Sequence, residues 1–169
     1  MKTTKTETSW IEKVGAPAYG AIEEMVDALD ADYAVLECLR EERDDHDPDD
    51  HDGKTWEQVN PDDAQDLDFQ AGLAGECENE EAARERIMED PLSLRIFGER
   101  VDGEWEATDY ELLLATGGPA VRIVGDISDY GCDAGSARLE VQDWGKPWTE
   151  YHGADSDVLL RYASCFCFE

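Results

Sequence analysis

The sequence lacks several features that point to common functions. No apolar run approaches the ~18 residues of a membrane span, and the threonine-rich first ten residues contain no apolar signal core. Basic residues are also scarce: 14 stand against 43 acidic ones, so the 169-residue chain has a formal net charge of -29. Direct binding to nucleic acid or to an anionic membrane is therefore not expected. We expect a soluble, cytoplasmic protein.

The cysteines form no recognisable disulfide framework. They are odd in number and irregularly spaced, at Cys38, Cys77, Cys132, Cys165 and Cys167. This pattern is typical of reduced thiols in a cytoplasmic protein. Aromatic residues are more plentiful, and five Trp and six Tyr among 41% hydrophobic residues indicate a folded core.

The N-terminal half is acidic and is predicted to be helical. Residues 1–90 hold 28 acidic and 8 basic residues, whereas residues 91–169 hold 15 and 6. Apolar residues recur at steps of three and four from Pro17 to Arg43, which predicts a helix with Pro17 in its first turn. Asp30–Asp32 permits a break into two helices, because aspartate competes for the backbone. The aspartate-rich stretch Asp44–Gly53 is predicted to be a loop.

Two further helices are predicted before the sequence pattern changes. A weaker helical pattern runs from Trp56 to about Cys77. Asn79 is a typical N-cap, and acidic residues follow it in the favourable first turn. The helix that Asn79 opens should end before Pro91, because proline disfavours a helical residue in front of it.

The C-terminal half is typical of an antiparallel sheet. Apolar and polar residues alternate, and turns are predicted at Asp102-Gly103 and at Gly117-Gly118-Pro119. Asp155 is predicted to cap a short C-terminal helix. We therefore predict an α+β fold in one compact unit: an acidic helical region, residues 1–90, packed with a small antiparallel sheet and a C-terminal helix, residues 91–169.

Metal-binding motifs are incomplete. In an EF-hand pattern ending at Gly53, Pro48 holds the first ligand position and Val59 the position of the bidentate glutamate. Cys165-x-Cys167 lacks a second pair at zinc spacing. We expect no cofactor. A small thiol- or metal-dependent enzyme built around His152 and the cysteines stays open as an alternative.

The acidic residues of segment 23–45 most need a functional explanation. If the helix is unbroken from Ile22 to Asp45, six carboxylates form one stripe beside its apolar face: Glu23, Asp27, Asp30, Glu37, Glu41 and Asp44. The stripe is widened and extended by Glu24, Glu42, Asp45, Asp47, Asp49, Asp50 and Asp52. The helix alone reaches about 40% of the charge density of a DNA duplex, and the loop residues together with Asp62, Asp63, Asp66 and Asp68 bring the acidic half close to that density if they lie on the same side. Such a charge density destabilises a fold and exceeds what solubility requires. We interpret these residues as partner-binding.

Two surface features, the acidic residues and an aromatic turn, each have a second interpretation. Adaptation to high salt would explain abundant aspartate and only five lysines, although salt-adapted charge should spread over the whole surface. The aromatic turn with Trp144, Trp148 and Tyr151 either presents a patch to a partner or closes the end of the sheet by packing, and packing is favoured.

Several C-terminal segments resemble a known family. Leu113–Gly125, Ala137–Trp144, Pro147–Tyr151 and Tyr162-Ala163 are similar to small acidic proteins of proteobacterial phages, prophages and plasmids, for which no reaction is assigned. The resemblance covers residues 92–169 well and the acidic helices loosely. It implies a mobile-element accessory protein, a class that includes anti-CRISPR and anti-restriction inhibitors, some of which mimic DNA.

Charge and resemblance together predict a non-enzymatic inhibitor. Its acidic half would occupy the positively charged groove of a basic host nucleic-acid-binding protein, a CRISPR effector or a restriction enzyme. Trp144 and Trp148 would add specificity contacts, and the site of action would be the cytoplasm of the bacterial host.

Overall fold

The computed structural model describes residues 7–128 and 132–168. These residues form six α-helices, two 3-10 helices and one five-stranded antiparallel sheet. The structure thus confirms the predicted α+β class, with a helical N-terminal half and a short C-terminal helix. Within the described ranges, none of the helices combines the length and apolar character that a membrane span requires.

The elements follow the chain in a simple order. The α-helices are α1 (Glu7–Asp27), α2 (Tyr33–Asp44), α3 (Trp56–Val59), α4 (Pro61–Ala74), α5 (Glu80–Glu89) and α6 (Ser156–Ala163). The strands are β1 (Ser93–Val101), β2 (Glu104–Ala115), β3 (Ala120–Asp126), β4 (Arg138–Gln142) and β5 (Thr149–Glu150), and they lie side by side in that order. The 3-10 helices span Ala28–Asp30 and Pro48–His51.

The chain forms two compact units. One, the acidic unit, is the continuous stretch Asp27–Arg84. Its core is built by Leu36, Leu39, Trp56, Leu67 and Ala74. The other, the sheet unit, combines the described residues up to Val26 with the described residues from Glu85 onward.

One face of the sheet carries the core of the sheet unit. Side chains alternate along a strand, and the register aligns Leu112, Ile123 and Leu139 across three neighbouring strands, all of them buried. Helix α6 contacts β4 and buries Tyr162. Helix α1 approaches so closely that a Cβ on Gly15 would overlap the Tyr151 ring. The other face, called the polar face, carries Glu111, Arg122 and Glu140.

Local capping signals placed most helix starts correctly. The carboxylate of Asp155 accepts a hydrogen bond from the N–H of Asp157 at 2.8 Å, and the Asn79 side chain accepts one from Ala82 at 2.8 Å. The break near residue 31 is also confirmed, because the Asp32 side chain caps α2 by accepting from Val35 at 3.1 Å.

The predicted start of the first helix is wrong. Pro17 lies inside α1 and not in its first turn, since the described helix already begins at Glu7. A proline in a helix interior costs about 3 kcal/mol. That cost is outweighed because α1 buries Ile22, Met25 and Val26 in the sheet unit.

The prediction of five reduced thiols is wrong for two of the cysteines. Cys132 and Cys167 form a disulfide across a sequence separation of 35 residues. They meet because the C-terminal segment returns to the sheet: the Phe168 ring stacks on Tyr110 at 4.3 Å, and the Phe168 N–H donates to the Cys132 carbonyl at 2.9 Å. Cys38, Cys77 and Cys165 remain thiols.

Two buried tyrosines should make the sheet unit sensitive to alkali. Burial raises the pKa of Tyr110 and of Tyr162 well above 10, and for Tyr162 the hydrogen bond to Asp90 at 2.6 Å adds to the effect. The unfolded chain loses these protons near pH 10, whereas the folded chain retains them. The free energy of unfolding should therefore hold up to about pH 10 and then fall by ~1.4 kcal/mol per pH unit for each tyrosine.

Urea unfolding at several pH values checks this expectation. The Tyr162→Phe variant should show a slope above pH 10 that is shallower by ~1.4 kcal/mol per unit than that of the natural chain. Identical slopes for the two chains would show that Tyr162 does not cause the loss of stability above pH 10.

Candidate acidic interaction surface

Helix α2 presents its acidic residues to solvent because its apolar side is taken by the core. Leu36 and Leu39 are buried in the core of the acidic unit. Glu37, Glu41 and Asp44 are spaced four and three residues apart, which places them on one exposed face of α2. These three predicted residues therefore do form a continuous acidic row.

A groove of about 630 Å³ runs along this row. Its lining includes the three carboxylates of α2, and the turn before α5 adds a fourth, that of Glu78. Tyr33, Arg40 and Asn79 complete the polar part of the lining. Glu78 is not among the predicted residues, because in the sequence it directly precedes the N-cap Asn79 and indicates only a helix start. Four carboxylates around one groove suit a cationic group of a partner.

The aspartate-rich loop after α2 is held by its own hydrogen bonds. The Asp47 carboxylate accepts from the Asp49 N–H at 2.9 Å, and His46 Nε2 lies 2.9 Å from the Lys54 carbonyl. The rings of His46 and His51 stack with centroids 4.6 Å apart. This arrangement leaves four predicted carboxylates exposed: Asp47, Asp49, Asp50 and Asp52.

The single stripe expected from an unbroken helix does not exist. The chain leaves helical geometry at Ala31 (φ -66°, ψ 134°), and Asp32 begins a new helix. Glu23 lies in α1, within the sheet unit, where it accepts a hydrogen bond from the Tyr19 hydroxyl at 3.2 Å. Asp27 is half-buried and Asp30 is exposed. These three residues are therefore not part of the α2 row.

The remaining predicted acidic residues of α2 lie outside the groove lining. Glu42 is exposed and accepts a hydrogen bond from the Cys38 thiol at 3.5 Å, which raises the pKa of that thiol. Asp45 caps the C-terminal end of α2 and is exposed.

Comparisons with protein-family models, with curated proteins and with solved structures found no match for this chain. The functional interpretation therefore depends on the site itself. The acidic unit contains 21 acidic and four basic residues, and every acidic side chain except that of Asp27 is exposed. Its ion pairs include Arg43–Asp44 and Arg84–Glu80, both at the surface.

The two tryptophans predicted to contact a partner differ in exposure. Trp148 is half-buried beneath the Arg122 guanidinium, whose carbon lies 4.1 Å from the ring centroid. Trp144 is 78% exposed. Its indole lies so close to Gly118 that a Cβ there would overlap it. Packing thus accounts for Trp148, while Trp144 stays available as a contact.

The polar face of the sheet carries a charge network that sequence reasoning missed. Arg122 binds Glu111 and Glu140, each at 2.6 Å, with Glu111 buried. Arg95 adds a second pair to Glu111 at 3.4 Å, and Arg138 adds one to Glu140 at 3.1 Å. The network depends on the strand register, which places Arg122 opposite Glu140. Because each arginine pairs with a carboxylate of the same face, we interpret this network as structural.

His152 and the cysteines of the alternative enzyme hypothesis make contacts that form no catalytic or metal-binding group among the described residues. His152 Nδ1 lies 3.2 Å from Glu150, and its side chain is 83% exposed. Cys167 is part of the disulfide. In the described part of the chain, no three His, Cys, Asp or Glu side chains are arranged to hold a metal ion.

Proposed function

We propose that this protein is a non-enzymatic inhibitor, encoded by a mobile element, that binds a basic nucleic-acid-binding defence protein in place of nucleic acid. A CRISPR effector or a restriction enzyme of the bacterial host is the expected target. The observation that carries the proposal is the exposure of 20 of the 21 acidic side chains in one compact unit. The mobile-element origin rests on the sequence resemblance alone.

The charge of the acidic unit is largely uncompensated. Its four basic residues can neutralise at most four of its 21 acidic residues one to one. Surface ion pairs such as Arg43–Asp44 are also weak, worth ~0–1 kcal/mol. The field that remains attracts a basic partner, speeds association and weakens steeply with salt.

The distribution of charge argues against a general adaptation to salt. In the acidic unit 21 of 58 residues are acidic, compared with 22 of 111 in the rest of the chain. Solvation of a whole protein in strong salt would call for similar densities on both. A charge concentrated in one unit favours a partner for that unit.

A pull-down from bacterial lysate tests the proposal. The tagged protein is washed in parallel at low and at high salt, and the retained proteins are identified. A basic nucleic-acid enzyme that is retained at low salt, is released at high salt and is displaced by added DNA or RNA supports mimicry. Partners that are released neither by high salt nor by added nucleic acid would refute the proposal.

A further inference from the structure

The sheet of the described chain has a long open edge at β1. Strand β1 is first in the sheet order and spans nine residues, Ser93–Val101. Protein sheets usually protect such edges with proline, lysine, bulges or a covering element. Strand β1 contains neither proline nor lysine, and its Phe97 and Leu94 side chains are 48% and 41% exposed.

The backbone of β1 is also regular enough for its outer edge to pair with a further strand. The register of β1 against β2 shifts after Phe97, where that residue faces Asp109 and Gly98 faces Ala107. The extra residue, Thr108, therefore belongs to β2, and β1 itself continues without a bulge. Among the described residues, β2 is the one sheet neighbour of β1, so the outer edge of β1 offers the backbone groups that a further strand requires.

The sequence of β1 is complementary to itself. If two copies pair antiparallel about Phe97, Arg95 of each copy lies opposite Glu99 of the other, on the same face as the central phenylalanines. Strand β1 holds two arginines and one glutamate, a local excess of positive charge in a chain of net charge -29. The β1 strands themselves therefore add little to the repulsion between two copies.

We propose that β1 is a homodimer interface, at which two copies join their sheets edge to edge around a twofold axis at Phe97. The symmetry makes each Arg95–Glu99 pair occur twice, as in any twofold interface. The proposal concerns the sheet unit and does not depend on the partner of the acidic unit.

Sedimentation analysis over a concentration series tests the dimer. The natural chain should approach twice its mass of 18.9 kDa, and Glu99→Lys should raise the dimer dissociation constant at least about ten-fold, because two attractive pairs become repulsive. Glu150→Lys is the matched control. Glu150 is exposed on β5, at the other edge of the sheet, so this variant makes the same change of charge away from β1 and should leave dimerisation unchanged.

A charge swap separates pairing from folding defects. Arg95→Glu alone should weaken the dimer in the same way, yet an equal mixture with Glu99→Lys chains should form a heterodimer. In that heterodimer the introduced glutamate lies opposite the introduced lysine, and the second position keeps a natural Arg95–Glu99 pair. Arg95 is exposed, and Glu111 keeps its pair with Arg122, so the variant should fold. The proposal is overturned if the natural chain is monomeric at its highest soluble concentration, if Glu99→Lys and Glu150→Lys weaken the dimer equally, or if the mixture stays monomeric.

Discussion

Reversing Glu37, Glu41 and Asp44 to lysine should weaken binding to the basic partner about 100-fold, which corresponds to ~2.7 kcal/mol. These carboxylates line one side of the groove on α2 and would meet the cationic groups of the partner. The salt dependence of the dissociation constant should also become flatter, because fewer charges contribute to it. The measurement is a titration of the partner found in the pull-down, at low and at high salt.

The variant should remain folded. The three side chains are exposed, and lysine near the C-terminal end of α2 suits the helix dipole. A matched control reverses Glu85, Glu89 and Glu104, which are also exposed but belong to the sheet unit and lie outside the groove. Both variants change the net charge equally. If the control weakens binding as much as the groove variant does, total charge and not the groove drives association, and an unaffected groove variant would exclude mimicry through α2.

Replacing Arg122 with glutamine should lower the free energy of unfolding by about 3 kcal/mol. Glu111 is buried and loses its partner at 2.6 Å, so its charge is left poorly compensated. Trp148 also loses the guanidinium that lies over its ring. Urea unfolding monitored by tryptophan fluorescence provides the measurement.

Arg138→Gln is the control for this effect. Arg138 binds Glu140 from the exposed side of the same network, with its side chain 48% exposed. Its removal should lower the free energy of unfolding by ~1 kcal/mol or less, because solvent screens the Arg138–Glu140 pair and Arg122 still binds Glu140. Equal losses for the two variants would show that burial of the Arg122 pair contributes nothing.

Features determined by neighbouring residues could be predicted from the sequence. Asn79 and Asp155 cap helices because their side chains reach backbone groups two or three residues away. Asp102-Gly103 forms the hairpin between β1 and β2, where Asp102 and Gly103 both have positive φ. Such features depend on a few residues that are close in sequence, so they could be recognised without knowledge of the fold.

Features that depend on distant residues could not be predicted. The Arg122 network requires the register of β2, β3 and β4, and the disulfide requires the return of the C-terminal segment to Cys132. The groove needs Glu78 beside α2, although nearly forty residues separate it from Glu41. Periodicity within α2 predicted only the acidic row that forms one side of this groove.

The two units differ in how much of the chain must be synthesised before each can be completed. The acidic unit is one stretch that ends at Arg84, whereas the sheet unit needs α1 together with strands that are translated much later. At ~5–20 residues per second, the ribosome takes on the order of ten seconds to deliver the residues after Arg84. During that time the acidic unit can already fold, while Ile22, Met25 and Val26 of α1 still await their partners. The nascent chain thus acquires its charged surface first, and the apolar face of α1 is the segment exposed to aggregation or to chaperones during synthesis.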